Sequence, residues 1–116
     1  MKVLKFGGTS VANSKNIEKV LNIVANSSKE QNVVVVVSAF GKTTNALIKG
    51  ATLAAQKNEE YLKVLKELEN HHFRVVKELI PIKNQTPVNS RVKQLFNQLE
   101  TIYEGCFLLR ELSPKT

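Results

Sequence analysis

Two short apolar runs mark the predicted strands of this chain. Residues 2–6 combine two lysines with valine, leucine and phenylalanine, and residues 33–37 are five consecutive valines. An uninterrupted run of β-branched residues is typical of a strand that is covered on both faces. We therefore predict strands at residues 2–6 and 33–37, the second of them buried.

A helical pattern separates the two strands. Asn13 or Ser14 can cap a helix that runs to about Lys29. Its apolar residues recur at helical spacing, so that one stripe can pack on a sheet; they are Ile17, Val20, Leu21 and Val24. Two strands joined by one helix form a right-handed parallel unit, and ligands bind beyond the carboxyl ends of such strands. The loops that follow the two strands are therefore the candidate ligand-binding loops.

The remaining chain is predicted to be helical. Helices are expected at about residues 43–56, 60–79 and 88–109, and residues 83–87 are expected to form a polar loop that ends in proline. The apolar stripe of the second of these helices consists of Tyr61, Leu65, Leu68, His72, Val75, Val76 and Leu79. The stripe of the third, close to heptad spacing, consists of Val88, Val92, Leu95, Leu99, Ile102, Cys106 and Leu109. The two long helices are expected to pair as an antiparallel hairpin.

Charge and composition argue against several classes of protein. The formal charge is +7, but the basic residues are scattered through the helical segments and aromatic residues make up only 6% of the chain, unlike a nucleic-acid-binding surface. No apolar run approaches the ~20 residues that cross a bilayer. The early charges do not fit a signal peptide, and a single cysteine suits a reducing cytosol. We expect no nucleic-acid partner, no membrane partner and a cytoplasmic location.

The segment KFGGTS, residues 5–10, has the features of a phosphate-binding turn. It follows the first predicted strand and precedes the first predicted helix. Glycines at such a turn let the backbone approach a ligand, and the first amides of a helix attract anions. A lysine at the end of the strand can add a point charge for a phosphate. Lys5, Gly7 and Gly8 are therefore candidate phosphate-binding residues.

Two segments carry a family resemblance. Residues 5–12, KFGGTSVA, resemble the opening signature of aspartate kinases in the amino-acid kinase family. Residues 33–45, VVVVVSAFGKTTN, resemble that family's second strand and the loop after it. Residues 103–116 are similar to the matching part of the bifunctional aspartokinase–homoserine dehydrogenases. The resemblance implies an α/β fold, the N-terminal portion of the carbamate-kinase-like three-layer fold of amino-acid kinases.

The resemblance also implies a reaction. Aspartate kinases use ATP and Mg²⁺ to phosphorylate the side-chain carboxylate of L-aspartate to 4-phospho-L-aspartate, the first step in lysine, threonine and methionine biosynthesis. Lys5 matches the catalytic lysine that balances charge during phosphoryl transfer. The residues that match the ATP- and phosphate-binding motif are Lys5, Gly7, Gly8, Thr9 and Ser10. Ser38 and Thr44 match positions that contact the substrate.

Several of these residues have an ordinary structural role as the alternative. The hydroxyls of Thr9 and Ser10 either cap the first helix or contact the ligand. Ser38 and Thr44 either contact the substrate or cap a loop and a helix, as serine and threonine do routinely. No metal ligand is predicted on this chain.

Other sequence features favour packing over chemistry. Residues 41–43, Gly-Lys-Thr after a strand, are the tail of a P-loop, but that motif needs a glycine where Val36 stands. His72 lies on an apolar stripe and is predicted to be a packed histidine. Cys106 lies on a similar stripe and is predicted to be a buried core thiol. The rival functions are another amino-acid kinase, acting on glutamate or a carbamate, and a basic helical module that binds RNA or a partner protein.

The predicted elements are too few for a whole domain. Two strands do not make an adequate sheet, and four helices with long apolar stripes need more surface to cover. We expect residues 1–116 to be the N-terminal part of an amino-acid kinase catalytic domain, with a loop at residues 113–116 and no activity in isolation. The glutamate, arginine and aspartate that complete the site in aspartate kinases have no counterpart here. The full-length protein is expected to form a homo-oligomer.

Overall fold

The computed structural model describes residues 1–112, which form a small parallel sheet of two strands and four helices. The strands and helices in chain order are β1 (Lys2–Phe6), α1 (Ser14–Ser28), β2 (Val33–Val37), α2 (Thr43–Ala55), α3 (Glu60–Leu79) and α4 (Ile82–Leu112). The loop predicted at residues 113–116 lies outside the described residues. The chain divides into two compact units, residues 1–44 and the part that begins at Asn45. None of the described helices is both long and apolar enough to cross a membrane.

The first unit is a parallel β-α-β arrangement. β1 and β2 pair along their whole length, with Lys2 opposite Val33. α1 begins after Asn13, whose Oδ1 accepts a hydrogen bond from the amide of Asn16 at 2.9 Å. Asn13 is therefore the N-cap, and it satisfies one of the amides that a helix start leaves without an intrahelical partner.

The prediction that β2 is covered on both faces is wrong for the part of the chain that the structure describes. The exposed fractions of Val34, Val35, Val36 and Val37 lie between 40% and 58%. α1 packs on β2, but the described residues contain no strand beyond β1 and β2. Leu21 of the predicted α1 stripe is likewise 55% exposed, whereas Val20 is buried. The apolar surface of this unit is thus only partly buried.

The second unit buries its apolar residues more completely. α3 and α4 pack against each other, and the predicted α3 stripe lies in their contact, with Leu65, Leu68, Val75 and Val76 all buried. A cluster of Ala54, Tyr61, Leu65 and Tyr103 forms the core. The hydroxyl of Tyr103 donates to the carbonyl oxygen of Leu47 at 2.6 Å, so the polar end of this buried ring is satisfied.

The boundary predicted for the last helix is wrong. α4 begins at Ile82 and continues through Pro87, so residues 83–87 form its first turns and not a loop. Proline in a helix removes one amide donor, which leaves the carbonyl four residues earlier without its usual partner. The helix nevertheless continues through this position for 31 residues in all. The side chain of Gln85 in the same turns donates to the carbonyl oxygen of Ile80 at 2.8 Å and so ties the start of α4 to the end of α3.

The buried stripe of α4 also differs from the prediction, first at Leu95, which is 46% exposed, and then in the second half of the helix. Tyr103 is buried and Phe107 packs on the core, whereas Ile102 is 61% exposed and Leu109 is 63% exposed. Cys106 is exposed, so the predicted buried thiol is wrong. A heptad pattern repeats every 3.5 residues and an ordinary α-helix every 3.6, so the two descriptions of one helix face diverge over several turns. The aromatic side chains bury more surface than the aliphatic ones, and they occupy the core.

The predicted packing of His72 is confirmed. Its ring lies half-buried at 5.2 Å from the ring centroid of Phe96, edge to face, and Nδ1 lies 2.8 Å from the carbonyl oxygen of Leu68. Burial lowers the pKa of His72 below its ordinary value. One turn away, the buried carboxylate of Glu69 forms an ion pair with Lys93 of α4 at 3.0 Å, which links the two helices by charge as well as by packing.

Candidate functional site

Two loops leave the carboxyl ends of the parallel strands side by side. Phe6 and Val37 are opposite each other in the sheet, and the amide of Ser38 donates to the carbonyl oxygen of Phe6 at 3.1 Å. This bond extends the strand ladder by one step beyond β2. The β1–α1 loop and the β2–α2 loop therefore start at the same level of the sheet, where ligands of α/β proteins bind.

The two loops touch through their backbones at Gly8 and Gly41. A Cβ atom built on Gly41 would lie 3.0 Å from the carbonyl oxygen of Gly8 and 3.0 Å from the Cβ atom of Ala12. A Cβ atom built on Gly8 would lie 3.4 Å from the carbonyl oxygen of Ala39. Each glycine leaves room for the other loop, which is a packing reason for glycine at both positions. The sequence predicts a ligand-binding role for Gly8, but it does not predict this contact with Gly41.

Gly7 differs from Gly8, although the two are adjacent. A Cβ atom built on Gly7 would meet no heavy atom within 4 Å. The backbone at Gly7 therefore faces open space, and no packing contact there requires glycine. A ligand can approach the main chain at this position without displacing a protein atom.

Lys5 lies on β1 one residue before its end and its side chain is exposed. In the parallel register it is opposite Val36. It thus stands near the carboxyl end of the sheet, on the strand that leads into the Gly7–Gly8 turn. An exposed lysine there can reach an anion held by the adjoining turn.

Thr9 and Ser10 shape the turn through their backbones. The amide of Ser10 donates to the carbonyl oxygen of Gly7 at 3.1 Å, and the carbonyl oxygen of Thr9 accepts from the side-chain amide of Asn16 at 3.0 Å. Since Asn13 caps α1, neither hydroxyl is the N-cap of this helix. Both residues are exposed, so their side chains are accessible to a ligand.

The β2–α2 loop carries the other predicted residues. Ser38 directly follows β2, and Thr44 is the second residue of α2; both are exposed. Lys42 between them has a φ of 70°, in the left-handed region that residues other than glycine rarely adopt. Thr43 is buried, with 6% exposure, and its amide donates to the carbonyl oxygen of Phe40 at 3.0 Å. All seven predicted site residues therefore belong to the first compact unit.

Within the described residues there is no group of three or more histidine, cysteine, aspartate or glutamate side chains that could hold a metal ion. The polar groups of the two loops include hydroxyls, backbone amides and the Lys42 ammonium, and Lys5 lies on β1 next to the first loop. Such groups suit anions, because they donate hydrogen bonds or carry positive charge.

Comparisons with known proteins agree on one family. The model of the Amino acid kinase family matches residues 1–101 of this chain. The bifunctional aspartokinase/homoserine dehydrogenase of Buchnera aphidicola is 32% identical over 114 residues, which cover 96% of this chain and 14% of that protein. The chloroplastic aspartokinase 1 of Arabidopsis thaliana is 34% identical over 98% of this chain and 19% of its own length. The aspartokinase of Geobacillus stearothermophilus is 51% identical over 47 residues, 40% of this chain and 12% of its own.

Proposed function

Because this chain belongs to the amino acid kinase family, we propose that it forms part of the active site of an aspartate kinase. The family resemblance that the sequence predicts is confirmed by the family match and by relatives named as aspartokinases. The chain spans less than a fifth of the length of the first two of these relatives. The observation that carries the proposal is the contact at Gly8 and Gly41, which holds the two candidate loops together at one end of the sheet.

The proposed reaction transfers the γ-phosphoryl group of ATP to L-aspartate. An oxygen of the side-chain carboxylate bonds to the γ-phosphorus, the bond from that phosphorus to the β–γ bridging oxygen breaks, and ADP leaves with 4-phospho-L-aspartate as the product. Catalysis of this kind is mainly positioning and electrostatic stabilisation. The two loops supply donors and positive charge for both tasks.

Each loop has its own part in this proposal. The Lys5 ammonium balances negative charge on the phosphates, and the open backbone at Gly7 is where the transferred group approaches. Thr9 and Ser10 contribute accessible hydroxyls to the same turn. Ser38 and Thr44 hold the amino-acid substrate through hydroxyls that add no charge.

Mg²⁺ does not fit the described residues, since they offer no cluster of acidic or histidine side chains. In this proposal it arrives bound to the phosphates of ATP. Magnesium commonly keeps several waters and binds through substrate phosphates, so the lack of such a cluster is compatible with its use. No step assigned to this chain's residues depends on it.

We also propose that residues 1–116 are the N-terminal part of a three-layer amino-acid kinase domain. The exposed valines of β2 support this, because parallel strands are normally covered on both faces. The larger size of the relatives supports it as well. In this proposal further strands and site residues complete the domain, the full-length protein is a cytoplasmic homo-oligomer, and this chain alone does not turn over substrate.

The test is an assay of the full-length gene product with Lys5→Ala. We expect a loss of about a hundredfold or more in kcat, because an electrostatic contact to the transferred group is removed. Lys2→Ala is the matched control, since Lys2 lies on the same strand at its opposite end and should leave kcat unchanged. Activity of Lys5→Ala within twofold of the wild type would overturn the role of Lys5.

The same assay decides between acceptors. An aspartate kinase transfers phosphate to L-aspartate and not to L-glutamate, which is longer by one methylene. Transfer to glutamate with an equal or higher kcat/KM would replace the proposal with another amino-acid kinase.

A further inference from the structure

Three consecutive residues, the last two of the β2–α2 loop and the first of α2, have an unfavourable backbone or environment. Gly41 packs against the backbone of Gly8, where even a methyl group would be crowded. Lys42 has a left-handed backbone, and Thr43 is buried. No other part of the described chain combines a close backbone contact, a left-handed non-glycine residue and a buried polar side chain in successive positions. Sparsely populated backbone conformations of this kind cluster at ligand sites and switch segments.

The hydroxyl of Thr43 is the most unusual group in this segment. Its Oγ1 atom is buried and has no hydrogen-bond partner among the described residues. Buried hydroxyls are normally paired, because an unpaired one loses its hydrogen bonds to water and gains nothing in return. Its neighbour Thr44, by contrast, is exposed. A valine at position 43 would fill the same space without that cost, so the hydroxyl needs a reason other than packing.

The position of Thr43 indicates which ligand could supply the missing partner. Thr43 is the first residue of α2, a helix of 13 residues with no acidic residue in its first turn. The amides at a helix start carry a partial positive charge that favours anions. The hydroxyl is a donor, and Lys42 adjoins it with a positive charge. An oxygen of a carboxylate or phosphate is therefore the partner that this environment favours.

We propose that Thr43 is a further binding residue, whose hydroxyl donates to an oxyanion of the bound substrates. This inference rests on the proposed function and extends it to a residue with no role assigned above. Since Oγ1 is inaccessible in the present loop conformation, the loop must turn on binding. Rotation at Lys42 toward a negative φ moves Thr43 relative to Gly41 and relieves the left-handed backbone. A hydrogen bond from Oγ1 to the oxyanion would then pair the hydroxyl, and Lys42 would have an ordinary backbone conformation.

The experiment replaces Thr43 by valine and by serine in the full-length gene product and measures KM for aspartate and for ATP. Thr43→Val keeps the branched shape of the side chain and replaces the hydroxyl with a methyl group. We expect a rise of about tenfold in one of the two KM values, which corresponds to one hydrogen bond to a charged group. A rise in KM for aspartate identifies the carboxylate, and a rise in KM for ATP identifies a phosphate. Thr43→Ser restores the hydroxyl and should return that KM to within about threefold of the wild type.

Thermal stability and a control variant separate binding from packing. Thr43→Val should raise the melting temperature, since it removes an unpaired buried hydroxyl. Thr52→Val is the control on the same helix, because the Thr52 hydroxyl already donates to the carbonyl oxygen of Ile48 at 2.9 Å, and it should change neither KM. If Thr43→Val is more stable and both KM values stay within twofold, the hydroxyl has no binding role and the inference is wrong.

Binding can also be followed without turnover, which separates this inference from the proposed function. In the full-length protein we expect the methyl resonance of Thr43, which is assigned by its absence from the spectrum of Thr43→Val, to shift on titration with L-aspartate or ATP. A wild type that binds and shifts this resonance but transfers no phosphate would overturn the proposed reaction and keep Thr43 as a binding residue. A wild type that transfers phosphate without any shift at Thr43 would keep the proposed reaction and overturn the binding role of Thr43.

Discussion

The two compact units of this chain bury their apolar side chains to different extents. In the helical unit, α3 places one complete stripe in its contact with α4, and the aromatic rings of Tyr61 and Tyr103 are 5% and 6% exposed. In the β-α-β unit, Val37 of the β2 strand is 58% exposed. The helical unit buries a core of its own, although Ile102 and Leu109 of α4 stay exposed, whereas the sheet leaves four of the five valines of β2 at least 40% exposed.

All the predicted site residues lie in the β-α-β unit, which buries less of its apolar surface. Regions with few buried apolar contacts have low local stability and open easily. Loops attached to such a unit gain order when the remaining surface is covered or when a ligand binds. The helical unit is a scaffold by this criterion, and the sheet unit carries the chemistry that we propose.

The largest expected effect lies in the core of the helical unit. Tyr103→Ala removes a buried ring that packs near Tyr61, with 6.4 Å between ring centroids, and removes the hydrogen bond to Leu47. We expect the free energy of unfolding to fall by about 3 kcal/mol or more, measured by chemical denaturation. Ile102→Ala, on the exposed side of the same turn, should stay within about 0.5 kcal/mol of the wild type. Equal effects of the two variants would contradict the burial pattern of α4.

Two glycines of the helical unit give opposite and smaller effects. A Cβ atom on Gly50 would lie 2.8 Å from the Cε2 atom of Tyr103, whereas one on Gly105 would meet nothing within 4 Å. Gly50→Ala should therefore destabilise the fold by about 1 kcal/mol or more despite its better helix propensity. Gly105→Ala should stabilise it by up to about 1 kcal/mol. Stabilisation by Gly50→Ala in the same denaturation experiment would show that the core is looser than the structure indicates.

His72 of the helical unit should make the free energy of unfolding depend on pH. Burial lowers the pKa of His72 in the folded protein, so below its ordinary pKa of 6.5 the unfolded chain binds the proton more readily. The stability of the folded state is therefore complete above about pH 6.5 and falls as the pH drops through that value toward the lower folded pKa. His72→Gln should reduce this slope in denaturation experiments at a series of pH values. His71→Gln removes only the weakest of the three influences on His72, so most of the slope should persist; a slope that is unchanged in His72→Gln would contradict the assignment.

The smallest expected effect within residues 1–116 is at the exposed valines of β2. Val35→Thr and Val36→Thr alter opposite faces of β2, and both valines are at least 40% exposed. In the chain of residues 1–116 each should change the free energy of unfolding by about 0.5 kcal/mol or less. In the full-length gene product each should cost about 1–3 kcal/mol if further elements cover both faces, because a hydroxyl would then be buried. Equal small effects in both proteins would contradict the proposal that this sheet is part of a larger one.

The sequence alone predicted most of the helices and strands and the family of this protein. Local patterns sufficed for the two strands, for α1 and α3, and for the position of the loops after β1 and β2, because hydrophobic period and turn residues act over a few positions. The segments KFGGTSVA, residues 5–12, and VVVVVSAFGKTTN, residues 33–45, were sufficient to predict the family. The first boundary of α4 was not predictable in this way, since Pro87 is a local signal against helix that contacts such as that of Gln85 with Ile80 override.

Which side chains face each other depends on the tertiary structure and does not follow from the sequence pattern. Ile102 and Tyr103 are both apolar neighbours on α4, and nothing in their spacing tells which one meets α2 and α3; the ring of Tyr103 does so because its size and its hydrogen bond to Leu47 fit that core. The contact of Gly8 with Gly41 joins two residues that are distant in sequence. Thr43 has the same side chain as Thr44, but its hydroxyl is buried. Such contacts depend on the packing of whole elements, and a local pattern carries no information about the partner on the other side.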